Sequence, residues 1–164
     1  MKAVTHTLLV GGTTEIGRVL ARRFARKGRV SILGRRQTSN EKQVKYYQVD
    51  IANTTTTCAT LDRALDSSGP IRHLIFLQRF RGVGNTMNGE MKVSLEATKT
   101  IIDHLCNSFV LSGNRSIVVV LSVATRFIAL EQPLIYHVAK SGQEQIVRYY
   151  AATLGRKGIR VNGV

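Results

Sequence analysis

The chain of 164 residues is about one domain long, and 43% hydrophobic against 21% charged residues is the composition of a folded protein, which excludes a disordered chain. It carries 24 basic and 10 acidic residues, a net charge of +14, and 11 of the basic but only 3 of the acidic residues lie within positions 1–50. This excess favours an anionic partner, namely a nucleic acid, a membrane surface or a phosphorylated small molecule.

Export, membrane insertion and metal binding are not indicated. No apolar run approaches the roughly 18 to 20 residues that a membrane helix needs, and the N-terminus is too polar for a secretory signal. Cys58 and Cys106 lie far apart, without ligand spacing, and are predicted to be inert buried thiols. The histidines form no metal-ligand pattern either. We therefore expect a soluble, cytoplasmic protein without a metal.

Short aliphatic runs alternate with longer stretches of helical periodicity, which is typical of a parallel sheet covered by helices. Six strands are predicted, at Thr7–Val10, Val30–Leu33, Lys45–Val49, His73–Leu77, Ser116–Leu121 and Ile159–Asn162. Four helices are predicted, at Glu15–Arg26, Thr57–Leu65, Glu90–Leu111 and Leu134–Gly155. The polar segment 37–43 is too short for a crossover helix and is predicted to be a loop.

The first predicted helix has two distinct faces. Ile16, Leu20 and Phe24 recur every four residues and are predicted to face the sheet, with Gly17 and Ala21 allowing a close approach to it. Another face carries a row of arginines, Arg18, Arg22 and Arg26. No aromatic residues for base stacking are interleaved with this row, so a solvated surface is favoured over a nucleic-acid stripe.

A glycine-rich turn joins the first strand to the first helix and reads Gly11-Gly12-Thr13-Thr14-Glu15-Ile16-Gly17. Such a turn lets main-chain N–H groups and the positive end of the helix approach a pyrophosphate closely. Its spacing is neither that of GxGxxG nor that of the lysine-bearing P-loop. The turn predicts a dinucleotide site, and a purely structural turn is the alternative.

Two arginines, Arg35 and Arg36, follow the second strand, and no acidic residue comes before Glu41. In open α/β sheets an acidic residue here binds the ribose hydroxyls of NAD, whereas an arginine accommodates the additional phosphate of NADP. The pair therefore favours NADP(H) over NAD(H), with a generic basic loop as the alternative. Asp50 and Ile51 follow the third strand and are candidates for contact with the adenine.

A phenol and an ammonium, Tyr136 and Lys140, lie four residues apart and hence on one helix face. They begin the helix after the fifth strand, at the edge where open α/β sheets bind ligands. There the ammonium can stabilise the phenolate. Ser122 ends the fifth strand, 14 residues before Tyr136, so the three polar groups can converge.

These patterns resemble the short-chain dehydrogenase/reductase family over nearly the whole chain. The turn is similar to the family's GxxxGxG turn, with Gly11 and Gly17 in the outer positions, and residues 158–162 are similar to its sixth strand. The resemblance implies a Rossmann-like, doubly wound parallel sheet and hydride transfer between NADP(H) and a carbonyl or secondary alcohol. In that family serine polarises the substrate oxygen, tyrosine transfers its proton, and lysine binds the nicotinamide ribose. These roles fall to Ser122, Tyr136 and Lys140.

The resemblance also implies a small-molecule substrate and a homodimer or homotetramer. It assigns cofactor binding to residues of the glycine turn, of the strand ends and of the catalytic pair: Gly11, Thr13, Thr14, Glu15, Ile16, Gly17, Arg35, Arg36, Asp50, Ile51, Gln78, Tyr136 and Lys140.

Several positions depart from the family pattern. Glu15 replaces the middle glycine, and its carboxylate would repel a phosphate. The expected Asn-Asn-Ala-Gly turn reads Leu77-Gln78-Arg79-Phe80, and Ser94 stands where a helix asparagine is expected. We expect a single domain over 1–164 without the family's further strand and substrate-covering segment. The departures leave an alternative open, a non-catalytic protein that binds NADP(H), another anion or a nucleic acid.

Overall fold

The computed structural model describes residues 5–36, 38–82 and 86–164. Its six parallel strands are β1 (Thr5–Val10), β2 (Gly28–Gly34), β3 (Val44–Gln48), β4 (His73–Phe76), β5 (Arg115–Val119) and β6 (Ile159–Gly163). They form one sheet in the order β3-β2-β1-β4-β5-β6. This is the doubly wound Rossmann order: β2 and β3 extend the sheet on one side of β1, and β4, β5 and β6 extend it on the other side. The predicted fold class and all six predicted strands are confirmed.

The helices are α1 (Glu15–Ala25), α2 (Thr54–Ser68), α3 (Met87–Glu90), a π-helical segment (Met91–Glu96), α4 (Ala97–Leu105) and α5 (Leu134–Gly155). One 3₁₀ turn, Val123–Thr125, follows β5. α2 begins earlier than predicted because the Asn53 side chain accepts a hydrogen bond from Thr56 N at 3.1 Å and so caps the helix. Residues 38–43 form the predicted loop, and Gln37 lies outside the described residues.

The third predicted helix, Glu90–Leu111, is wrong at its C-terminal end. α4 ends at Leu105 because the following segment joins the sheet instead. Ile71 N donates to Ser108 O at 3.0 Å, and Val110 N donates to Ile71 O at 2.9 Å. Phe109 is thereby buried beside Ile71. This pairing is a tertiary contact, and helical periodicity alone does not contain it.

The sheet is covered on both faces, because alternate residues of a strand point to opposite sides. Leu8 and Val10 of β1 belong to the core that packs against α2, α4 and α5, whereas Leu9 belongs to the core beneath α1. All three side chains have no solvent exposure. Among the described residues, no helix is both long and apolar enough to cross a membrane. Cys58 and Cys106 are only half-buried, not fully buried as predicted, and form no disulfide.

The prediction for α1 needs one correction. Leu20 and Phe24 pack against the core as predicted, but Ile16 is 67% exposed. As predicted, the helix approaches the sheet through Gly17 and Ala21, which are its buried residues. Ile16 therefore lies on the rim of a cleft rather than in the core. The three arginines of the row on α1 are exposed, as predicted.

Candidate functional site

A cleft of about 690 Å³ lies at the carboxyl ends of the strands, where the strand order reverses. This is the position at which open α/β sheets bind ligands, and the volume is in the usual range for a ligand site. Every predicted cofactor-binding residue except Gly17 lines it: Gly11, Thr13, Thr14, Glu15, Ile16, Arg35, Arg36, Asp50, Ile51, Gln78, Tyr136 and Lys140. The fold thus brings the two separate sequence signals into one cleft.

The turn after β1 requires glycine at two positions. Gly11 has a φ of +78°, and a Cβ there would lie 2.5 Å from the Cα of Gln78. A Cβ on Gly17 would lie 2.1 Å from the main-chain oxygen of Gly12. Both distances are far inside van der Waals contact. The turn after β1 can therefore pack against the turn after β4 only as bare main chain, which leaves a shallow cradle for a ligand.

The N-terminus of α1 faces this cradle. Thr14 is the N-cap residue, but its side chain makes no capping hydrogen bond. The first N–H groups of the helix are left without that side-chain partner, and together with the helix dipole they favour an anion. Glu15, the first residue of α1, is exposed and lines the same cleft, so its carboxylate opposes this attraction.

Basic side chains outnumber acidic ones in the lining. The basic residues are Arg35, Arg36, Arg79, Arg81, Lys92 and Lys140, and the acidic ones are Glu15 and Asp50. Asp50 is partly engaged, since its Oδ1 accepts from Ala52 N at 3.1 Å. A cleft lined mainly by one sign of charge concentrates ligands of the opposite sign. The site is therefore suited to a phosphate-bearing ligand.

Gln78 supplies a polar group without a partner. Its Nε2 donates to Thr98 Oγ1 at 2.8 Å, whereas its Oε1 is buried and has no hydrogen-bond partner among the described residues. A buried acceptor left unpaired is costly, and such groups often await a ligand or an ordered water. The unpaired Oε1, the glycine cradle and the basic lining together fit a dinucleotide with its phosphates and ribose hydroxyls.

Lys140 is held inside the protein beside the phenol. Its side chain is 5% exposed, and its Nζ donates to Val120 O at 2.8 Å and to Gln143 Oε1 at 2.9 Å. The Nζ lies 5.8 Å from the centre of the Tyr136 ring. Burial lowers the pKa of Lys140 to about 8; the negative charge of Glu90 opposes this shift and Arg79 adds to it. Lys140 is thus a desolvated cation next to Tyr136.

A second cation contacts Tyr136. The guanidinium carbon of Arg79 lies 4.7 Å from the centre of the phenol ring, and Arg79 Nη2 donates to Gln132 Oε1 at 2.5 Å. A cation over an aromatic face is attracted to it. Arg79 and Lys140 thus place two positive charges beside one phenol. The arrangement therefore suits Tyr136 to proton transfer.

Ser122 does not line this cleft. It lines a second cleft of about 460 Å³ together with Arg126, Phe127 and Arg148, and not the cleft of Tyr136 and Lys140. Its Oγ accepts from Ala124 N at 3.2 Å and so caps the 3₁₀ turn after β5. Leu121, the residue before Ser122, lines both clefts, and Val120 lines the first. Ser122 is therefore not among the residues that line the cleft of Tyr136 and Lys140.

The residues of the site that were not predicted from the sequence include Arg79, Lys92 and Gln143. Arg79 and Lys92 line the cleft, and Gln143 contacts Lys140. Gln143 had a sequence signal, because residues three apart on a helix are neighbours and Gln143 follows Lys140 at that spacing. Arg79 and Lys92 had none, since only the fold shows which of the 24 basic residues enter the cleft.

The burial of Lys140 predicts a pH-dependent stability. Its pKa is about 8 in the folded protein and 10.5 ordinarily, so between these values the unfolded chain binds more protons and the free energy of unfolding rises with pH. Below pH 8 both states are protonated and the effect vanishes. From pH 7.5 to pH 10 we expect a gain of about 2 kcal/mol in the wild type.

Urea unfolding at pH 7.5 and at pH 10 measures this increase in the free energy of unfolding. The variant Lys140→Met should lack the increase. Lys42 is exposed and lies outside the cleft, so Lys42→Met should show the same increase as the wild type. The same pH dependence in the wild type and in Lys140→Met would show that Lys140 is not buried as a cation.

Comparisons with known proteins agree with this geometry. A family model described as Enoyl-(Acyl carrier protein) reductase matches residues 11–164. No curated protein sequence matches the chain. The fold is similar to that of a short-chain dehydrogenase/reductase from Serratia marcescens, with 17% identity, a TM-score of 0.85 and coverage of 97% of this chain and 72% of the other.

Two further solved structures are similar. One is a short chain dehydrogenase family protein from Francisella tularensis, with 18% identity, a TM-score of 0.82 and coverage of 98% and 68%. The other is an NADH-dependent reductase complexed with NAD, with 16% identity, a TM-score of 0.80 and coverage of 98% and 77%. The family match extends over most of the chain and over the whole cleft. The protein therefore belongs to the short-chain dehydrogenase/reductase family of NAD(P)-dependent enzymes.

Proposed function

We propose that this protein is an NADP(H)-dependent oxidoreductase that transfers a hydride between the nicotinamide and the carbon of a carbonyl or secondary alcohol. One observation carries the proposal: a single cleft is lined both by the glycine turn after β1 and by Tyr136 and Lys140 of α5. The glycine turn and Tyr136 are far apart in the sequence, and only the folded chain brings them into one cleft. The substrate is a small molecule that enters the cleft beside Tyr136.

The nicotinamide, when bound, supplies or accepts the hydride. In the reducing direction Tyr136 gives its phenolic proton to the carbonyl oxygen, so that the alcohol has gained one hydride and one proton. The tyrosine is left as a phenolate, which Lys140 and Arg79 stabilise by their charge. Solvent returns the proton. In the oxidising direction the phenolate removes the proton of the alcohol. The role of Ser122 in polarising the substrate oxygen stays a prediction.

The preference for NADP(H) is supported by Arg35 and Arg36. Both are exposed, both line the cleft, and they directly follow β2. A guanidinium binds a phosphate through charge-assisted hydrogen bonds, each contributing about 1.5 to 3 kcal/mol. One structural relative is an NADH-dependent reductase complexed with NAD, so both cofactors must be compared.

Fluorescence titration with NADPH and NADH tests this preference. We expect NADPH to bind more tightly, and the double variant Arg35→Gln, Arg36→Gln to lose about 10- to 100-fold of its NADPH affinity, which is the loss of one charge-assisted contact. Its affinity for NADH should stay nearly constant. Arg26→Gln is the matched control, since Arg26 is exposed but lies outside the cleft. Equal losses of affinity for NADPH and NADH would contradict the proposed contact between these arginines and the phosphate.

The chemistry itself is tested by following NADPH consumption with a panel of aldehydes and ketones. The panel includes an enoyl thioester, because the matching family model is described as an Enoyl-(Acyl carrier protein) reductase. We expect turnover with at least one member. Tight NADPH binding without turnover of any member would instead support the non-catalytic alternative.

Self-association as a homodimer or homotetramer is part of the same proposal. Its support is a group of exposed apolar side chains on α5 and in the segment before it: Phe127, Ile128, Leu130, Leu134 and Val138. Exposed apolar patches of this kind commonly mark contacts between proteins.

A further inference from the structure

Gln143 uses both ends of its carboxamide inside the protein. It is 1% exposed; its Oε1 accepts from Lys140 Nζ at 2.9 Å, and its Nε2 donates to Ser94 O at 3.0 Å. An ammonium can only donate and a main-chain carbonyl can only accept, so these partners determine which end of the amide faces which group. Gln143 therefore forms a directed link between Lys140 and the main chain of the π-helical segment.

The carbonyl at the other end of this link is itself held in place. Ser94 O also accepts from Thr98 Oγ1 at 2.7 Å, and Thr98 Oγ1 accepts from Gln78 Nε2 at 2.8 Å. Gln78 and Lys140 both line the cleft. A continuous set of hydrogen bonds thus runs behind the cleft, from the end of β4 through the π-helical segment to Lys140, and Gln143 is its last member before the lysine.

We propose that Gln143 is a positioning residue, which holds the ammonium of Lys140 between the carbonyl of Val120 and the π-helical segment so that it faces Tyr136 and the cofactor. This inference rests on the proposed function, because it assigns Gln143 a part in the same reaction. Gln143 does not line the cleft, so it acts through Lys140 and not on a ligand.

Physical reasons favour this role over simple core packing. A lysine side chain is long and flexible, and an ammonium is strongly hydrated in water, so a buried one needs acceptors that fix it. Lys140 has two, Val120 O and Gln143 Oε1. Only Gln143 can be changed by substitution. Both acceptors together leave one N–H of the ammonium for the cleft.

Charged groups around Lys140 come from three elements. Glu90 of α3, 4% exposed, accepts from Ser94 Oγ at 2.8 Å and attracts the ammonium; Arg79, which follows β4, repels it; and Tyr136 lies one turn before it on α5. Burial already lowers the pKa of Lys140 to about 8. Loss of the Gln143 acceptor would therefore lower this pKa further, and a carboxylate in its place would raise it.

The experiment follows the pH dependence of acetylation at Lys140 by trace acetic anhydride, read by mass spectrometry on the protein without added cofactor. A hydrogen bond to a charged group contributes about 1.5 to 3 kcal/mol, which corresponds to roughly one to two pKa units. We expect the midpoint for Lys140 to fall by about one unit or more in Gln143→Met and to rise in Gln143→Glu. Urea unfolding establishes that each variant is folded.

Thr98→Val is the matched control. It removes the hydroxyl that joins Gln78 to Ser94 but keeps the contact between Gln143 and Lys140, so the Lys140 midpoint should shift less than in Gln143→Met. A midpoint that moves equally in Thr98→Val would indicate a general loss of packing and would overturn the proposal. So would folded Gln143→Met and Gln143→Glu proteins with the wild-type midpoint.

Kinetics give the second readout. In Gln143→Met the pH profile of kcat should shift in the same direction as the acetylation midpoint. The fold decrease in kcat should be larger than the fold change in the KM for the substrate. Gln143→Glu should restore part of kcat. If the wild-type protein transfers no hydride but the midpoints shift as expected, the proposed reaction is wrong and the positioning of Lys140 by Gln143 still holds. If the wild-type protein is active but the Lys140 midpoint does not shift in the Gln143 variants, only the role of Gln143 is wrong.

Discussion

Tyr136→Phe is expected to lower kcat by about 10²- to 10⁴-fold, the usual contribution of a positioned general acid or base. The variant removes one oxygen and keeps the ring, so the contact with the Arg79 guanidinium, 4.7 Å from the ring centre, is retained. The fold and the cradle at Gly11 are unchanged. NADPH should therefore still bind to the variant, while the proton that completes the alcohol is missing.

Stopped-flow measurement of NADPH oxidation gives kcat, and fluorescence titration gives the affinity. Tyr149→Phe is the matched control on the same helix, because Tyr149 is 62% exposed and does not line the cleft. Its turnover should equal that of the wild type. If Tyr136→Phe kept wild-type turnover, Tyr136 would not be the proton donor and the proposed reaction would lose its central residue.

Gly11→Ala is expected to abolish measurable NADPH binding and to lower the free energy of unfolding by about 2 to 5 kcal/mol. Two effects add. A side chain at a φ of +78° costs about 1 to 2 kcal/mol, and a Cβ at 2.5 Å from the Cα of Gln78 forces the two turns apart, at a cost of about 1 to 3 kcal/mol. Separation of these turns distorts the cradle, where the phosphates would bind.

Gly69→Ala separates the two effects. Gly69 has nearly the same φ, +79°, but a Cβ there would have no neighbour within 4 Å. Because the ψ of Gly69 is −173°, a region nearly restricted to glycine, a conformational cost of about 1 to 3 kcal/mol should remain, with normal NADPH affinity. Denaturant titrations of both variants give the comparison. Equal destabilisation of the two would mean that the close approach of Gly11 and Gln78 does not determine the cradle.

The strands and the long last helix could be predicted from the sequence, because their signals are local. Runs such as Leu8-Leu9-Val10 indicate a strand buried on both faces, and α5 begins and ends at the predicted residues, Leu134 and Gly155. The doubly wound parallel sheet that the resemblance implied is confirmed as well. The same local patterns identified most of the cleft, since the ends of parallel strands meet at one edge of the sheet.

The details of the site depended on contacts between distant residues. Ser122 was predicted as a catalytic group from its place at the strand end and its distance in sequence to Tyr136, but its Oγ accepts from Ala124 N in the turn after β5, and Ser122 lines the second cleft. Spacing along the chain does not specify the direction of a side chain after a turn. The end of α4 likewise depends on the pairing of Ile71 with the segment around Phe109.

The sequence by itself determined the class of the fold, the glycine cradle and the pairing of Tyr136 with Lys140, because a helix turn or a strand end is defined by residues a few positions apart. Only the tertiary structure decided that Lys140 is desolvated, that Arg79 lies over the phenol, and that Gln143 joins Lys140 to Ser94. Burial and long-range hydrogen bonds depend on which elements pack together, and hydrophobic periodicity specifies a buried face without naming its partner.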